Sequence, residues 1–368
     1  MYLRRLSLTN FRNYEQMDLE PDQFLNVIYG PNAQGKTNIL ESVYFTCTGK
    51  SFRTQREIEI IRWESGFSCV NSLLETHSRQ LEIRILLKPG KKIIEVNGVQ
   101  THGQPLGWPG VVLFTPDDLV MIKGSPQERR RFLDLEIGPF NPQYSHNLSL
   151  YNRVLSQRNN LLREIKEKRI KTDALDVWNE QLCRYGAKLL FMRLELLKAL
   201  SPYFNSIHSD ITGGKEKLEL RYLSTLKLGG TAVEEDIYEQ FIRELAVVKN
   251  EEISRAQSLI GPHRDDLSVL INGVDARTYG SQGQQRTVVL SIKISLIMNW
   301  YREMNEYPVL LLDDVLFELD HSRQEELFKR IKGVVQTFVT STGRNKQEFE
   351  NIFAGRYFGV KSGKIITF

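Results

Sequence analysis

The sequence predicts an α/β fold in two lobes. An α/β lobe with an antiparallel β layer comes from both ends of the chain, and a mainly helical lobe with a short antiparallel helical arm is inserted between them. Three observations predict it. Residues 1–122 and 276–368 alternate short apolar runs with turn signals, residues 123–275 carry mostly 3.6-residue periodicity, and two helical stretches of near-equal length meet at Lys171-Thr172 inside an arm at 143–200. At 368 residues, 41% hydrophobic and 26% charged, the chain can bury a sizeable core in two or three modules, which excludes disorder and fibre. The net charge of +4 does not announce a polyanion partner, so any basic footprint must be found by position.

The elements follow in order. A β pattern at 2–8 precedes a turn near Asn10 and an extended run, FLNVIY, at 24–29. Ile83, Ile85 and Leu87 alternate before a Pro89-Gly90 turn, and Asn97-Gly98 adds the strongest short hairpin signal. At Ser125-Pro126-Gln127-Glu128 the pattern turns helical, with an N-cap serine, proline at the first helical position and glutamate to complete a capping box; Gly138-Pro139 closes that helix. Helices at about 143–170 and 173–200 follow, the second stopping at Ser201-Pro202, as an arm roughly 40 Å long at 1.5 Å per residue. A helix near 233–258, a turn at Asn272-Gly273, a helix at 283–305, a strand at 309–314, a helix near 322–332, a strand at 335–340 and a terminal hairpin at Ser362-Gly363 complete the chain.

Cys47, Cys69 and Cys183 are odd in number and far apart, which argues against a disulfide framework or a zinc site. No apolar run approaches a membrane span, VVLSIKISLIMNW at 288–300 being interrupted by Lys293, and the start lacks the apolar core of a signal peptide. The expectation is a soluble cytoplasmic protein with no membrane partner.

Chemistry concentrates in three places. Gly30-Pro31-Asn32-Ala33-Gln34-Gly35-Lys36-Thr37 fits G-x-x-x-x-G-K-[ST] after a strand and before an amphipathic helix. In such a loop backbone N–H groups and the helix N-terminus hold phosphates, Lys36 reaches the β/γ-phosphates, and the Thr37 hydroxyl ligates Mg²⁺. A nucleotide with Mg²⁺ is thus the expected ligand, and the ABC-type resemblance given below makes that nucleotide ATP. The apolar strand Val309–Leu312 delivers Asp313 as a second Mg²⁺ ligand and Asp314 as the base that orients the attacking water; Lys36, Asp313 and Asp314 are the expected catalytic set. Third, Ser281-Gln282-Gly283-Gln284 opens the 283–305 helix. It resembles the S-G-G-Q signature of ABC-type ATPases, in which a serine, a glycine N–H and a helix N-terminus meet the γ-phosphate held by the partner of a dimer. Glu318-Leu319-Asp320 resembles the D-loop of the same interface.

LTNFRNY, GPNAQGKTNILE, GKSFRT at 49–54, FTPDDL at 114–119, GSPQERRRFLD at 124–134, GPHRDDL at 261–267, YGSQGQQRT at 279–287 and LLLDDVLFELD at 310–320 occur in that order over nearly the whole chain. Together they resemble the RecF family of bacterial recombination mediators, SMC-like ABC ATPases without a long coiled coil. The resemblance implies a weak ATPase that dimerises with ATP on DNA at single-strand/double-strand gap junctions. It also implies work with RecO and RecR to load RecA, in gap repair, replication-fork maintenance and the SOS response. Two positions depart from the wider ABC pattern: Asp314 stands where larger relatives have Glu, and 338–343 offers Thr340, Ser341 and Thr342 but no switch histidine.

For DNA, the arm supplies Arg153, Arg158, Arg163, Lys166, Lys168, Arg169 and Lys171 against only Glu164 and Glu167. Phosphate contact and a solvated, ion-paired face are equally open readings of this stripe. Lys50, Arg53, Arg56 and Arg62 form a second basic group, either at DNA or at a dimer interface. Arg129-Arg130-Arg131 reads as DNA contact or as pairing with Asp117-Asp118 or Asp265-Asp266, and His263 reads as structural. Trp63, Trp108, Trp178 and Trp300 are expected to be core or interface anchors. The rival readings are the ATPase subunit of a membrane transporter and an SMC-like docking module that uses ATP only to assemble.

Overall fold

The computed structural model describes residues 1–101, 108–138, 141–229, 233–316, 321–342 and 355–367. The chain divides into a first unit, Met1–Asp118 with Leu290–Phe368, and a second, Leu119–Val289.

In the first unit, period-2 alternation builds one sheet and continuous apolar runs build another. Strands β1 (Tyr2–Phe11), β2 (Tyr14–Leu19), β4 (Ser68–Glu75), β5 (Gln80–Lys88), β6 (Lys91–Val96) and β7 (Val99–Thr101) pair antiparallel in the order β2-β1-β4-β5-β6-β7. On β5, Leu81, Ile83, Ile85 and Leu87 are buried while their neighbours are exposed or half-buried, the pattern of a half-buried sheet. The Asn97-Gly98 turn between β6 and β7 has positive φ at both residues (50° and 78°), as the hairpin signal required.

The second sheet runs β15 (Lys364–Thr367), β14 (Arg356–Lys361), β3 (Leu25–Tyr29), β13 (Thr337–Ser341), β12 (Val309–Leu312), β8 (Val111–Phe114). All pairings are parallel except the terminal β14–β15 hairpin. Its strands come from opposite ends of the sequence, so β3 and β12 share one sheet with β13 between them. Helix α1 (Lys36–Thr48) packs Ile39, Leu40, Val43 and Phe45 into a core shared with Phe11, Ile85, Leu311 and Phe338. Helix α7 (Gln282–Met304) is the 283–305 helix; its Lys293 is buried and lies 3.0 Å from Asp118. Burial pushes the Asp118 carboxyl up, against the opposing pull of Lys293. Helix α8 (His321–Ile331) lies between β12 and β13 in sequence. Among the described residues no helix is long and apolar enough to cross a membrane.

The second unit holds α2 (Val120–Lys123), α3 (Pro126–Ile137), α4 (Pro142–Lys166), α5 (Asp176–Thr212), α6 (Glu234–Arg255) and a small antiparallel sheet ordered β11 (Val274–Asp275), β10 (Asp266–Ile271), β9 (Leu218–Leu223). The capping box at α3 forms, with the Ser125 hydroxyl accepting from Glu128 N and the Glu128 carboxylate accepting from Ser125 N. The arm differs from expectation at its far end. Helix α5 passes through Pro202 and ends twelve residues beyond Leu200, at a left-handed Gly213. Leu200, Phe204, Ile207 and His208 continue the buried stripe across the proline, and that burial outweighs the roughly 3 kcal/mol an interior proline costs.

Candidate functional site

The C-terminal ends of β3, β13 and β12 lie along one edge of the parallel sheet, the edge where α/β folds place ligands. At the end of β3, Gly30 donates its N–H to Ser341 O at 3.2 Å, and a Cβ there would stand 2.3 Å from the Val360 carbonyl. Gly35 has φ 113° at the start of α1, where a Cβ would meet the side chains of Asn13 and Tyr14 at 2.6–2.9 Å. Only glycine lets this loop wrap so closely. Pro31, Asn32 and Ala33 are exposed at its crest, and Lys36, 5% exposed, curls back so that its ammonium donates to Pro31 O at 3.1 Å.

The loop is braced by residues that sequence reasoning missed. Asn13 donates to Gln34 O at 2.9 Å, Tyr14 OH donates to Gly35 O at 3.1 Å, and Asn38 donates to Asn13 Oδ1 at 2.8 Å. From the terminal hairpin, Ser362 N donates to Gln34 Oε1 at 2.6 Å. One turn along α1, the fully buried Glu41 takes two bonds from Arg12, at 2.6 and 2.9 Å. Arg12, Asn13 and Tyr14 belong to the LTNFRNY segment, which carried family resemblance without any hint of these contacts.

Thr37 OH donates to Asp313 Oδ1 at 3.0 Å, and Thr340 OH, from β13, donates to the same oxygen at 2.9 Å. Burial pushes the Asp313 carboxyl above its ordinary range, while the Thr340 and Thr37 bonds pull the other way. Asp314 is held in the left-handed region (φ 54°), its N–H donating to Thr340 Oγ1 at 2.8 Å. Its Oδ1 is buried with no hydrogen-bond partner among the described residues. A hydroxyl, a half-buried carboxylate and an orphaned carboxylate oxygen beside a phosphate-type loop form the hard oxygen set that suits Mg²⁺. The expected pair Thr37 and Asp313 is therefore together in space, with Asp314 adjoining. Thr340 links the two aspartates and is 0% exposed.

In the second unit, Ser281 Oγ accepts from Gln284 N at 3.2 Å and Ser281 N donates to Gln284 Oε1 at 2.8 Å, a capping box at the start of α7. Ser281 and Gln282 are exposed and Gly283 is half-buried. The Ser281 oxygen serves as acceptor, so its O–H remains to be donated. Gln284 is fixed from behind: its amide donates to Glu216 Oε1 at 2.9 Å, and the other Glu216 oxygen lies 3.1 Å from Nε2 of His208, which is fully buried. Nothing in the local sequence linked residue 216 to this turn. Glu318, Leu319 and Asp320, the expected D-loop, lie outside the described residues.

The basic candidates divide. Arg153, Arg163, Lys166, Lys168, Arg169 and Lys171 are exposed on the arm, Arg163 bonded to Asn160 and Arg169 paired with Glu167. Arg158 is a correction: it is 1% exposed and bonds Glu252, Asn179 and Ser258, because its position falls on the buried face of α4 between Val154 and Leu162. Lys50 and Arg56 are exposed, while Arg53 donates to Asn38 beside the P-loop at 2.6 Å. Arg129 is buried and holds the Asp266 carboxylate through two bonds, so the pairing reading holds for it, while Arg130 donates to the backbone oxygen of Asp265. His263 sits against Tyr151 OH at 2.7 Å, and burial lowers its pKa to about 4. Trp108 and Trp300 are buried, whereas Trp63 is 90% exposed, which excludes the core reading for it and leaves the interface one.

Comparison with known proteins places these features in context. A family model described as an AAA domain matches residues 5–260. A "DNA replication and repair protein RecF" of Pelotomaculum thermopropionicum is 57% identical over 365 residues, spanning 99% of this chain and 100% of its own. The solved structure of "the recombination mediator protein RecF-ATP in RecFOR pathway" superposes with a TM-score of 0.90 at 34% identity, covering 100% of this chain and 97% of the other. An Smc head bound to the C-terminal winged-helix domain of ScpA shares the fold, with a TM-score of 0.55 at 16% identity.

Proposed function

Because this chain belongs to the RecF family, whose fold is that of an SMC-like ABC ATPase, we propose that it is an ATP-dependent, DNA-binding recombination mediator. ATP lies along the edge formed by β3, β13 and β12. The P-loop amides of Gly30–Gly35 and the Lys36 ammonium neutralise the phosphates. Thr37 and Asp313 would hold Mg²⁺, which would supply positive charge against the phosphates. Asp314, with a carboxylate oxygen that no donor among the described residues occupies, orients water for attack on the γ-phosphorus and accepts its proton. The O–P bond to ADP breaks as the new one forms, releasing ADP and phosphate. Asp314 is one methylene shorter than glutamate, which accords with slow turnover.

Ser281, Gln282, Gly283 and Gln284 meet the γ-phosphate held by the second copy of the chain. ATP therefore joins two molecules on DNA at single-strand/double-strand junctions, and hydrolysis removes the phosphate that ties them. With RecO and RecR, the dimer marks gaps where RecA is loaded, in gap repair, fork maintenance and the SOS response. Exposed arm residues Arg153, Arg163, Lys166, Lys168, Arg169 and Lys171, with Lys50, Arg53 and Arg56, supply phosphate contacts that carry affinity without sequence preference.

The observation that carries this reading is the meeting of Thr37, Asp313 and Thr340 within hydrogen-bond distance at the end of a P-loop sheet. Binding to a labelled gap junction, measured at several salt concentrations with and without ATP, tests it. ATP should tighten binding of the wild type and leave Lys36→Met unaffected. Tight ATP binding with no DNA affinity at low salt would instead favour the docking-module alternative.

A further inference from the structure

Trp63 occupies a turn that is anchored at both ends and yet points its indole at solvent. Arg62 N donates to Asn10 O at 2.9 Å, Arg12 N donates to Ile60 O at 2.7 Å, and Phe11 bridges Ile61, so the segment is pinned to the β1–β2 connection. Ser65 N closes the turn on Arg62 O at 3.0 Å, with Glu64 at φ 63°, a backbone region that favours glycine. The fold thus fixes the backbone that presents a bulky aromatic outward, 90% exposed. A large rigid ring facing water is typical of a recognition surface and not of packing.

The surroundings say what it faces. Trp63, Ile58, Ile61, Arg62 and Pro89, with Glu64 and Ser65 at the turn, line one shallow groove, with Ile58 also 58% exposed. Pro89 is the tip of the β5–β6 hairpin, flanked by the exposed Lys88 and Lys91, and Lys92 ties that hairpin to the loop after α1 by donating to Gly49 O at 3.0 Å. Lys50, Arg56, Lys88 and Lys91 are exposed and in no ion pair among the described residues; of the acids, Glu57 is taken by Lys92 and Glu15 pairs with Arg62, which leaves the exposed Glu64 as the negative charge on the groove. An exposed aromatic face beside the exposed lysines of the hairpin tip is complementary to a strand of unpaired nucleotides, which offers both phosphate charge and free base faces.

We propose that Trp63 is a stacking platform for an unpaired base, with Lys88, Lys91, Lys50 and Arg56 on the adjoining phosphates. The inference rests on the DNA-binding reading above and deepens it, since a base-stacking residue distinguishes a junction from a closed duplex, whose bases present no free face. The test is fluorescence anisotropy with ATP on a gap junction and on a blunt duplex of equal length. Trp63→Ala should weaken junction binding about tenfold and leave duplex binding unchanged, while Trp63→Phe, which keeps a ring, should stay within about threefold of wild type on both. Lys88→Ala with Lys91→Ala should weaken the junction and flatten its salt dependence. Unchanged junction affinity for Trp63→Ala, beside a wild type that binds, would overturn this inference alone. So would an equal loss on both DNAs, or loss of a protein partner with DNA affinity intact. A wild type that binds neither DNA at low salt would overturn the broader reading as well.

Discussion

Thr340→Val tests the coupling between the two aspartates. Valine has nearly the same shape but no hydroxyl, so it removes the 2.9 Å bond to Asp313 Oδ1 and the acceptor for Asp314 N, at a residue that is 0% exposed. A bond to a charged acceptor contributes about 1.5–3 kcal/mol, and a buried N–H left without a partner costs about 1–3 kcal/mol. Thr37 continues to donate to Asp313, which places the net loss near 3 kcal/mol. In a unit of this size that lowers Tm by about 6–12 °C. With the Thr340 bond gone, burial drives the Asp313 carboxyl further up, so a larger share is protonated and turnover falls first at the acid end of the pH profile. Calorimetry and steady-state ATP hydrolysis across pH are the assays, with Thr340→Ser as the control that restores the hydroxyl. A valine variant that melts within about 2 °C of wild type and turns over ATP with an unshifted pH profile would refute the reasoning.

Three further outcomes follow from the second unit. Glu216→Ala frees the Gln284 side chain from its 2.9 Å bond and should weaken ATP-dependent dimerisation about tenfold, with ATP binding by the monomer unchanged in equilibrium titration; Glu216→Gln, which keeps an acceptor oxygen, should recover most of it. Arg158→Ala leaves Glu252 buried and unpaired and should cost about 3–5 kcal/mol in denaturant unfolding, whereas Arg163→Ala and Lys168→Ala should leave stability alone and flatten the salt dependence of DNA binding. His263 has a folded pKa of about 4 against an ordinary 6.5, so above pH 6.5 it is neutral in both states and stability is unaffected. Between pH 6.5 and 4 the unfolded chain takes up the proton first and stability falls by up to about 3 kcal/mol, a decline that His263→Gln should reduce in pH-dependent unfolding.

What could be read in the sequence was whatever is encoded locally. The P-loop, the VLLL strand ending at Asp313, the capping box at Ser125, the helix start at Ser281 and the Asn97-Gly98 turn each declare themselves within a few residues, because backbone geometry and short-range hydrogen bonds dictate them. Contacts between distant segments did not. Arg12 on Glu41, Asn13 on Gln34 and Glu216 behind Gln284 depend on tertiary packing, and no spacing in one sequence reports it. Arg158 shows how charge counting fails: the stripe was correctly basic, but helical phase puts this one arginine inward, where Glu252 meets it. Pro202 failed in the opposite sense, as tertiary burial along α5 overrode a strong local stop. For Trp63 the sequence left core and interface open, and only the anchored turn with its left-handed Glu64 reveals that this ring is displayed and not packed in the core.

The central claim is that the capped turn at Ser281 completes the nucleotide site of a second copy of the chain. Light scattering of purified protein with ATP and Mg²⁺ tests it most directly, comparing wild type with Ser281→Arg. Ser281 is exposed, so the variant should fold and bind ATP normally. The account predicts a dimer for the wild type and a monomer for Ser281→Arg at the same saturation with ATP. An ATP-bound dimer of the variant, or a wild type that stays monomeric with ATP, would contradict it.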